Sequence, residues 1–339
     1  MTNALITGGA GFIGSNLAAR LLRAGHEVRV LDDLSRPGSE RNLAWLRSLG
    51  GGLRFWQAGI NDRQTLAEAA TGVAQVYHLA GQVAVTKSVA DPRGDFLANA
   101  LGTLNLLEAV RAKSPDAAVV LASTNKVYGS LAGQRVDLGE GRYRLVDFPL
   151  GIPETFPLDF HSPYGCSKGA ADQYVRDYHR IYGLRTVVFR QSCIYGPRQF
   201  GLSDQGWLAW FVLAALKGMP IQIDGDGCQV RDVLFVEDLL DAYELAAGRV
   251  EECAGEVFNI GGGPERVLAI WRDVAPLLER LTGRLPVVQF GPWRPGDQKV
   301  FISDTRKVRE RLGWWPRVSV EDGVARLVAW TRDEMGAGA

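Results

Sequence analysis

Short apolar runs alternate with amphipathic segments along most of the chain. The apolar runs, which predict β-strands, lie at residues 3–7, 27–31, 76–80, 118–122 and 186–189. The segments between them repeat apolar residues with helical spacing, most clearly at residues 15–24, 100–112 and 164–182. This alternation is typical of a doubly wound parallel sheet, so we predict an α/β fold. Ligands bind at the carboxyl ends of the strands in such a sheet, and we expect the chemistry directly after these runs.

The alternation fails between residues 130 and 160. Gly139, Gly141, Pro149 and Pro153 are among the residues that interrupt any regular period there. This composition predicts a long loop or a small excursion beside the site.

The composition limits the classes of partner. The 339 residues include 38 basic and 38 acidic side chains, so no net charge attracts nucleic acid or an anionic membrane. No apolar stretch approaches the length of a membrane span, and the N-terminal residues show neither a basic region nor a cleavage site. The cysteines lack C-x-x-C spacing and histidines are few, which predicts no metal site. We therefore expect a soluble cytoplasmic protein that binds neither membrane nor nucleic acid.

A glycine-rich turn connects the first predicted strand to the first predicted helix. Gly8, Gly11 and Gly14 have the spacing G-x-x-G-x-x-G. Glycine at these positions allows the backbone to approach a pyrophosphate closely, and the N-terminus of the following helix attracts the same group. The order strand, turn, helix and strand indicates a dinucleotide-binding domain.

Two carboxylates follow the second predicted strand. Asp32 and Asp33 lie about 20 residues after the glycines, where a dinucleotide-binding fold places the acid that accepts ribose hydroxyls. A carboxylate there would repel the additional phosphate of NADP, so Asp32 predicts NAD as the cofactor. Arg36 leaves an alternative open, since a loop arginine either reaches a phosphate or is solvated.

A tyrosine and a lysine four residues apart supply candidate acid–base chemistry. Tyr164 and Lys168 project from one face of a predicted helix that has Pro163 in its first turn. A phenol ionises near pH ~10, so Tyr164 can act as a base near neutrality only if a cation such as Lys168 favours the phenolate. Together with Thr124, the pair predicts proton transfer coupled to hydride transfer. A Y-x-x-x-K match alone is weak, and the glycine-rich turn is what supports it.

Further sequence blocks resemble one known family. They are T-G-G-A-G-F-I-G at 7–14, H-L-A-G at 78–81, N-A-L-G-T-L-N-L-L-E-A at 99–109, Y-G-P-R at 195–198, R-D-V-L-F-V-E-D-L at 231–239, N-I-G-G-G at 259–263 and L-G-W-W-P at 312–316. Over nearly its whole length the chain resembles the extended short-chain dehydrogenase/reductases that modify nucleotide-activated sugars. The resemblance implies a Rossmann fold, NAD as the cofactor and a nucleotide-sugar substrate.

The resemblance also implies roles for individual residues. Thr124 would polarise the reacting hydroxyl, Tyr164 would be the base, and Lys168 would hold the nicotinamide ribose and lower the tyrosine pKa. The residues implied for cofactor binding are Gly8, Gly11, Phe12, Ile13, Gly14, Asp32, Asp33, Ser35, Arg36, Ile60, Leu79, Ala80, Gly81, Asn99, Ser123, Tyr164 and Lys168. Those implied for substrate binding are Gln82, Val83, Thr124, Asn125, Lys126, Cys193, Gln205, Gly206, Trp207, Arg231 and Arg294.

Two segments indicate which reaction of the family to expect. S-T-N-K-V-Y-G at 123–129 and R-Q-F-G-L-S-D-Q-G-W at 198–207 resemble family members that invert carbon 2 of a CDP-sugar. Similar dehydratases carry Asp and Glu where this chain has Asn125 and Lys126, so the carboxylates for eliminating water are missing. Epimerisation through a transient ketone needs neither of these carboxylates. The alternatives are a 4-epimerase of UDP-sugars and, more remotely, a regulatory protein that binds NAD without catalysis.

Several of these positions have a second interpretation. Arg231 and Arg294 match family positions that bind the substrate diphosphate, and an ordinary surface ion pair is the alternative. Trp207 either closes over the substrate or packs in the core. Cys193 replaces an asparagine usual in 4-epimerases, and Gly59 replaces an aspartate that usually contacts adenine. These departures leave the nucleotide and the cofactor affinity open.

The motifs divide the chain into two predicted domains. Residues 1–185 carry the dinucleotide-binding motifs, and a segment near 228–248 is expected to return to this domain. Residues 186–339 mainly form the lobe that binds the nucleotide-sugar. By the resemblance, apolar helical faces near 99–108 and 174–178 form a four-helix contact, which predicts a homodimer.

Overall fold

A computed structural model of the protein describes residues 2–293 and 297–336. In these ranges the strands are β1 (Asn3–Thr7), β2 (Glu27–Asp32), β3 (Gly52–Gln57), β4 (Gln75–His78), β5 (Ala118–Thr124), β6 (Val136–Gly139), β7 (Arg142–Leu145), β8 (Arg185–Gln191), β9 (Cys193–Tyr195), β10 (Ile221–Asp224), β11 (Val230–Phe235), β12 (Val257–Ile260), β13 (Val267–Ala269), β14 (Val288–Gly291) and β15 (Val300–Phe301). The α-helices are α1 (Phe12–Arg23), α2 (Ser39–Ser48), α3 (Arg63–Ala69), α4 (Val85–Ala90), α5 (Pro92–Phe96), α6 (Gly102–Lys113), α7 (Ser162–Tyr182), α8 (Trp207–Lys217), α9 (Val236–Gly248), α10 (Val250–Cys253), α11 (Val274–Thr282), α12 (Arg306–Leu312) and α13 (Val320–Gly336). A π-helical turn (Leu97–Leu101) joins α5 to α6, and a 3-10 turn (Asn125–Tyr128) follows β5.

The chain forms two compact units. The first comprises the chain up to Val127, Phe160–Arg190 and Leu240–Phe258, and the second comprises Tyr128–Asp159, Gln191–Leu239 and the chain from Asn259. The predicted domain boundary at residue 185, with residues near 228–248 returning to the first domain, stays a prediction. The compactness of the two units does not show which ligand each of them binds.

A central sheet with parallel strands confirms the predicted α/β fold. Its strand order is β12-β8-β5-β4-β1-β2-β3. β1 pairs in parallel with both β2 and β4, and the order along the sheet reverses at this point. Strands β1, β4, β5 and β8 are almost wholly buried, as expected for a sheet that helices cover on both faces. The carboxyl ends of β1 and β4 therefore lie side by side at a topological switch point, where ligands bind in such folds.

The long predicted helices coincide with observed ones, with shifts at their starts. The helix predicted at 164–182 is α7, and the helix predicted at 15–24 is α1, which begins directly after Gly11. The helix predicted at 100–112 corresponds to α6, but residues 97–101 form a π-helical turn ahead of it. Hydrophobic spacing of 3.6 residues does not predict such a turn.

The second unit is built around β11. This strand pairs in parallel with β9 and β15 and antiparallel with β13, and β10 pairs with β14. Apolar side chains of α8, α11 and α13, such as Phe211, Leu278 and Leu327, form its core. The segment from 130 to 160 contains the antiparallel hairpin β6–β7. No helix among the described residues is long and apolar enough to cross a membrane.

Candidate active site

The glycine-rich turn between β1 and α1 has a conformation that side chains would prevent. Gly8 has a φ of +70°, and a Cβ there would lie 2.7 Å from the backbone N of Ala80. A Cβ on Gly14 would lie 2.3 Å from the carbonyl O of Gly8. The carbonyl O of Gly11 accepts the first hydrogen bond of the helix, from the N–H of Ser15 at 2.9 Å. Because these backbone segments lie so close together, the N-terminus of α1 lies at the ends of β1 and β4, where the sequence predicts a pyrophosphate.

Asp32 is the last residue of β2, and its carboxylate stabilises the glycine-rich turn through a hydrogen bond. Its Oδ2 accepts the N–H of Ala10 at 2.9 Å, and its Oδ1 accepts the N–H of Leu34 at 2.8 Å. Burial raises the pKa of the Asp32 carboxyl group, while these backbone hydrogen bonds act in the opposite direction. Asp33 instead accepts the N–H of Ser35 at 2.9 Å. Because a carboxylate has about four acceptor sites, Asp32 retains lone pairs for the hydroxyls of a ribose.

Asn99 lies in the π-helical turn and has an unsatisfied oxygen. Its Nδ2 lies 3.0 Å from the carbonyl O of Gln82, 3.0 Å from Ser167 Oγ and 3.2 Å from Asp95 Oδ1. Its Oδ1 is buried without a hydrogen-bond partner among the described residues. A Cβ on Gly81 would lie 2.6 Å from this oxygen, so glycine leaves that side open. An unpaired buried acceptor costs about 1–3 kcal/mol, which a donor on a bound ligand would offset.

The other predicted cofactor residues lie mostly around the same strand ends. Phe12 and Ile13 open α1, and Leu79 and Ala80 directly follow β4. Ile60 differs, because it belongs to the apolar core of the first unit. Its role in cofactor binding stays a prediction.

Helix α7 places Tyr164 and Lys168 on its buried face. Pro163 lies in its first turn, where the missing N–H has no cost. Tyr164 and Lys168 are each only 7% exposed. Thr124, the last residue of β5, lies close enough to the Tyr164 phenol to act on its pKa. The structure thus brings the three predicted catalytic side chains together, with Lys168 Nζ donating to the carbonyl O of Ala122 at 2.5 Å.

Burial governs the charge states of these side chains. It raises the pKa of Tyr164 to about 12, although the Thr124 hydroxyl acts in the opposite direction. It lowers the pKa of Lys168 to about 8, against the charges of Asp172 and Asp95. The net shift of the Tyr164 pKa is upward because lost hydration of the phenolate outweighs the neighbouring charges, and the expectation that Lys168 lowers this pKa stays a prediction.

The 3-10 turn after β5 supports Thr124. The backbone N–H of Lys126 donates to Thr124 Oγ1 at 3.2 Å, and Asn125 Oδ1 lies 3.4 Å from the same oxygen. Gln82 and Val83, two predicted substrate residues, follow β4 and are half-buried. The turn therefore holds the Thr124 hydroxyl in place, with the amide of Asn125 beside it.

Two buried carboxylates close to Lys168 were not predicted. Asp95 and Asp172 are 1% and 0% exposed, and the charges of both act on the Lys168 ammonium. A signal was present, because Asp172 lies four residues after Lys168 and Asp95 lies four residues before Asn99. At helical spacing, such pairs share a face.

Arg231, which the sequence predicts to bind the substrate diphosphate, is a buried residue of the second unit. Arg231 is 8% exposed, and its Nη2 donates to Asp297 Oδ1 at 2.9 Å. Cys193 begins β9 and is half-buried. Arg294 lies outside the described residues. The Arg231 guanidinium is thus buried and engaged in an ion pair with Asp297, and its contact with a diphosphate stays a prediction.

The predicted cluster at Gln205, Gly206 and Trp207 lies at the start of α8. Gly206 has a φ of +75° and precedes the helix, and the N–H of Gln205 donates to the carbonyl O of Leu202 at 3.1 Å. The Trp207 ring contacts the Phe211 ring edge to face, with centroids 5.5 Å apart. Trp207 therefore packs against the core of the second unit, and its contact with substrate stays a prediction.

The fold and the site define a doubly wound α/β protein with a dinucleotide turn and a Tyr–Lys pair at the strand ends. The family model described as GDP-mannose 4,6 dehydratase matches residues 5–327, and the chain belongs to this family. The predicted membership in the extended short-chain dehydrogenase/reductases is confirmed.

Individual relatives carry out different reactions on nucleotide-sugars, according to their names. The CDP-paratose 2-epimerase of Salmonella typhi is 46% identical over 334 residues, which are 96% of this chain and 98% of that protein. The structure of UDP-glucuronic acid 4-epimerase from Bacillus cereus, in complex with UDP-glucuronic acid and NAD, has a TM-score of 0.84 at 28% identity and covers 98% of this chain and 99% of its own. The dTDP-glucose 4,6-dehydratase of Streptomyces venezuelae, with NAD bound, has a TM-score of 0.85 at 33% identity, with coverage of 99% and 98%.

Proposed function

We propose that the protein is an NAD-dependent epimerase that interconverts CDP-paratose and CDP-tyvelose by inverting carbon 2. The observation that carries the reaction type is the burial of Tyr164 and Lys168 on one face of α7, with Thr124 at the end of β5 close enough to act on the Tyr164 phenol. The choice of sugar is supported by 46% identity to a CDP-paratose 2-epimerase over nearly the full length of both chains.

The first unit has features that fit NAD. The glycine-rich turn would leave room for the pyrophosphate, Asp32 has acceptor sites for a ribose, and Asn99 Oδ1 is a buried acceptor without a partner among the described residues. Bound NAD would supply reversible hydride acceptance at the reacting sugar carbon. Asp32 favours NAD over NADP, since its carboxylate would repel an additional phosphate.

The protein's own side chains move the proton. Tyr164, as phenolate, removes the proton of the substrate hydroxyl while Thr124 orients that hydroxyl, and the phenol returns the proton after inversion. The ammonium of Lys168 stabilises the phenolate, which burial alone disfavours. No net proton or electron is gained or lost over one turnover.

The neighbourhood of Thr124 argues against elimination of water. A 4,6-dehydration needs an acid and a base in addition to the tyrosine. Asn125 and Lys126 occupy the turn after Thr124, and neither is a carboxylate. The alternative within the family is a UDP-sugar 4-epimerase, which uses the same three side chains and differs in how the sugar is bound.

Residues of the second unit are assigned to the nucleotide by resemblance. The planar guanidinium of Arg231 suits a diphosphate, which it can bind with two parallel hydrogen bonds. Cys193, Gln205, Gly206, Trp207 and Arg294 complete the proposed set. The preference for CDP rests on the segment at 198–207 and on the CDP-paratose 2-epimerase relative.

We also infer that the protein forms a homodimer. Phe96 on α5 and Tyr174 on α7 are 54% and 45% exposed, and a contact between two copies through these helices would bury both. Within the chain, Tyr178 OH donates to Glu108 Oε1 at 2.7 Å, so α6 and α7 already pack side by side. Sedimentation equilibrium would measure the mass, and a monomer at all concentrations would contradict this inference.

The reaction is tested with labelled substrate. CDP-paratose deuterated at carbon 2 is incubated with the purified protein in ordinary water, and unlabelled substrate in deuterated water, and both products are examined by NMR. We expect CDP-tyvelose that keeps the carbon 2 deuterium and takes none from solvent. Loss of the label would contradict direct return of hydrogen, and inversion of UDP-sugars at carbon 4 without action on CDP-sugars would favour the alternative.

A further inference from the structure

Asp95 is a buried carboxylate on α5, immediately before the π-helical turn. It is 1% exposed and accepts hydrogen bonds at both oxygens. Oδ1 lies 2.8 Å from Gln82 Nε2 and 3.2 Å from Asn99 Nδ2, and Oδ2 accepts the hydroxyl of Ser167. A buried carboxylate with several donors is a fixed structural element, because removing it would leave these donors unpaired.

The three donors belong to three different segments of the first unit. Gln82 follows β4, Asn99 lies in the π-helical turn, and Ser167 lies on α7 between Tyr164 and Lys168. Asp95 thus joins the segment predicted to contact substrate, the residue with the unpaired buried oxygen, and the helix that carries the base. A change in its position would be transmitted to all three.

The charge of Asp95 also acts on the reacting pair. It opposes the depression of the Lys168 pKa by burial, and it contributes to the raised pKa of Tyr164. The other charges that act on these two groups are Asp172 on α7 and Arg36 in the segment before α2, while the buried His78 of β4 is neutral at pH 7. Among the residues that the structure describes, Asp95 and Asp172 are therefore the buried anions that act on the ammonium.

We propose that Asp95 is a positioning residue of this site, which holds Gln82, Asn99 and Ser167 in place and supplies a buried negative charge to the Tyr164–Lys168 pair. Its importance for turnover rests on the proposed function, in which Tyr164 is the base. Its effect on Lys168 does not, because the ionisation of the amine can be measured without any substrate.

The test follows the titration of Lys168 directly. Lysine carrying ¹³C at Cε is incorporated into the full chain as purified, and the Lys168 signal is assigned by its absence from Lys168→Met. Asp95→Asn removes the charge and keeps the shape, and we expect the Lys168 pKa to fall by about half a unit or more. Asp95→Ser, a smaller neutral variant, repeats the test if Asp95→Asn does not fold.

Three further variants separate charge from packing. Ser167→Ala removes one hydrogen bond and keeps the carboxylate, Asp95→Glu keeps the charge, and Asp177→Asn makes the same change at an exposed position of α7. We expect the Lys168 titration of all three to match that of the unaltered protein. An unmoved titration in both neutral variants at position 95, or an equal fall in Ser167→Ala, would overturn the proposal.

Activity supplies the second measurement. If the proposed function holds, Asp95→Asn lowers kcat by about 10- to 100-fold, as expected when reacting groups lose their alignment. The alkaline limb of the kcat profile, where Lys168 loses its proton, moves to lower pH in parallel with the NMR titration. A kcat and a profile unchanged by Asp95→Asn would overturn the positioning role. Failure of the unaltered protein to epimerise any CDP- or UDP-sugar would refute only the proposed function.

Discussion

Asp172 and Arg190 form a bidentate ion pair in the interior of the first unit. Arg190 Nε lies 2.9 Å from Asp172 Oδ2, Arg190 Nη2 lies 3.0 Å from Asp172 Oδ1, and the side chains are 2% and 0% exposed. Ser123 Oγ also donates to Oδ2 at 2.9 Å. Because Asp172 lies one turn of α7 after Lys168, the pair fixes this helix to β8 and β5 at the depth of the site.

Arg190→Met should destabilise the protein strongly. It leaves the Asp172 carboxylate buried without its cation, a change that typically costs about 3–5 kcal/mol. The free energy of unfolding would be measured in urea. The control is Arg249→Met, which breaks an ion pair with Glu252 that is exposed to solvent and should change stability little. Equal losses in the two variants would show that the buried pair does not hold the helix in place.

Tyr164→Phe should abolish most turnover without loss of the fold. The phenyl ring preserves the packing, whereas the hydroxyl that exchanges the proton is missing, so we expect kcat to fall about 100-fold or more. The dinucleotide content of the purified variant should be unchanged. Tyr182→Phe, at an exposed position of the same helix, is the matched control and should retain full activity. If Tyr164→Phe were nearly as active as the control, another group would have to transfer the proton.

The strands and the strand-end site could be predicted because their signals are local. Buried parallel strands read as continuous apolar runs, and the glycine spacing defines the turn between β1 and α1. Tyr164 and Lys168 share a face of α7 because four residues make about one helical turn, and Thr124 lies near them because β5 packs against α7. For these features, sequence spacing and spatial proximity coincide.

The missed features depend on tertiary context. An aspartate in the sequence P-R-G-D-F looks solvated, and only the packing of α5 and α7 buries Asp95. Burial also raises the pKa of Tyr164, and the depth at which a helix residue is buried is not encoded in the Y-x-x-x-K spacing. The hairpin β6–β7 did have a signal, since Glu140 and Gly141 both have positive φ and join two short alternating segments. The glycines there were interpreted as breaking structure, whereas Gly141 permits the turn.

Gly14→Ala should abolish dinucleotide binding. An added Cβ would lie 2.3 Å from the carbonyl O of Gly8, so α1 must move away from the turn that the pyrophosphate needs. Gly248→Ala is the control, because a Cβ there would meet nothing within 4 Å. The dinucleotide would be released by denaturation and identified. We expect NAD from the unaltered protein and from Gly248→Ala, and no dinucleotide from Gly14→Ala. Release of NADP from the unaltered protein or from Gly248→Ala would contradict the role of Asp32.

The stability of the protein should decrease in mild acid because of His78. The ring lies between two hydroxyls, with Nδ1 2.7 Å from Thr7 Oγ1 and Nε2 2.9 Å from Thr103 Oγ1. Burial, with a further contribution from the Lys168 charge, lowers the pKa of His78 to about 3. An unfolded histidine titrates near pH ~6.5, so below that pH the unfolded chain binds a proton that the folded protein does not. The contribution of neutral His78 is thus complete above about pH 6.5 and decreases as the pH falls toward 3.

The free energy of unfolding at pH 7.5 and pH 5 would measure this effect. The slope of one proton is about 1.4 kcal/mol per pH unit, so His78 should account for about 2 kcal/mol of the loss at pH 5. His78→Gln can keep hydrogen bonds to both threonines and has no titrating group at this position. Its free energy of unfolding should therefore decrease by about 2 kcal/mol less than that of the unaltered protein between pH 7.5 and pH 5. His161→Gln, which replaces an exposed histidine, should behave like the unaltered protein. The same pH dependence in all three proteins would show that His78 does take up a proton in the folded state and would contradict its lowered pKa.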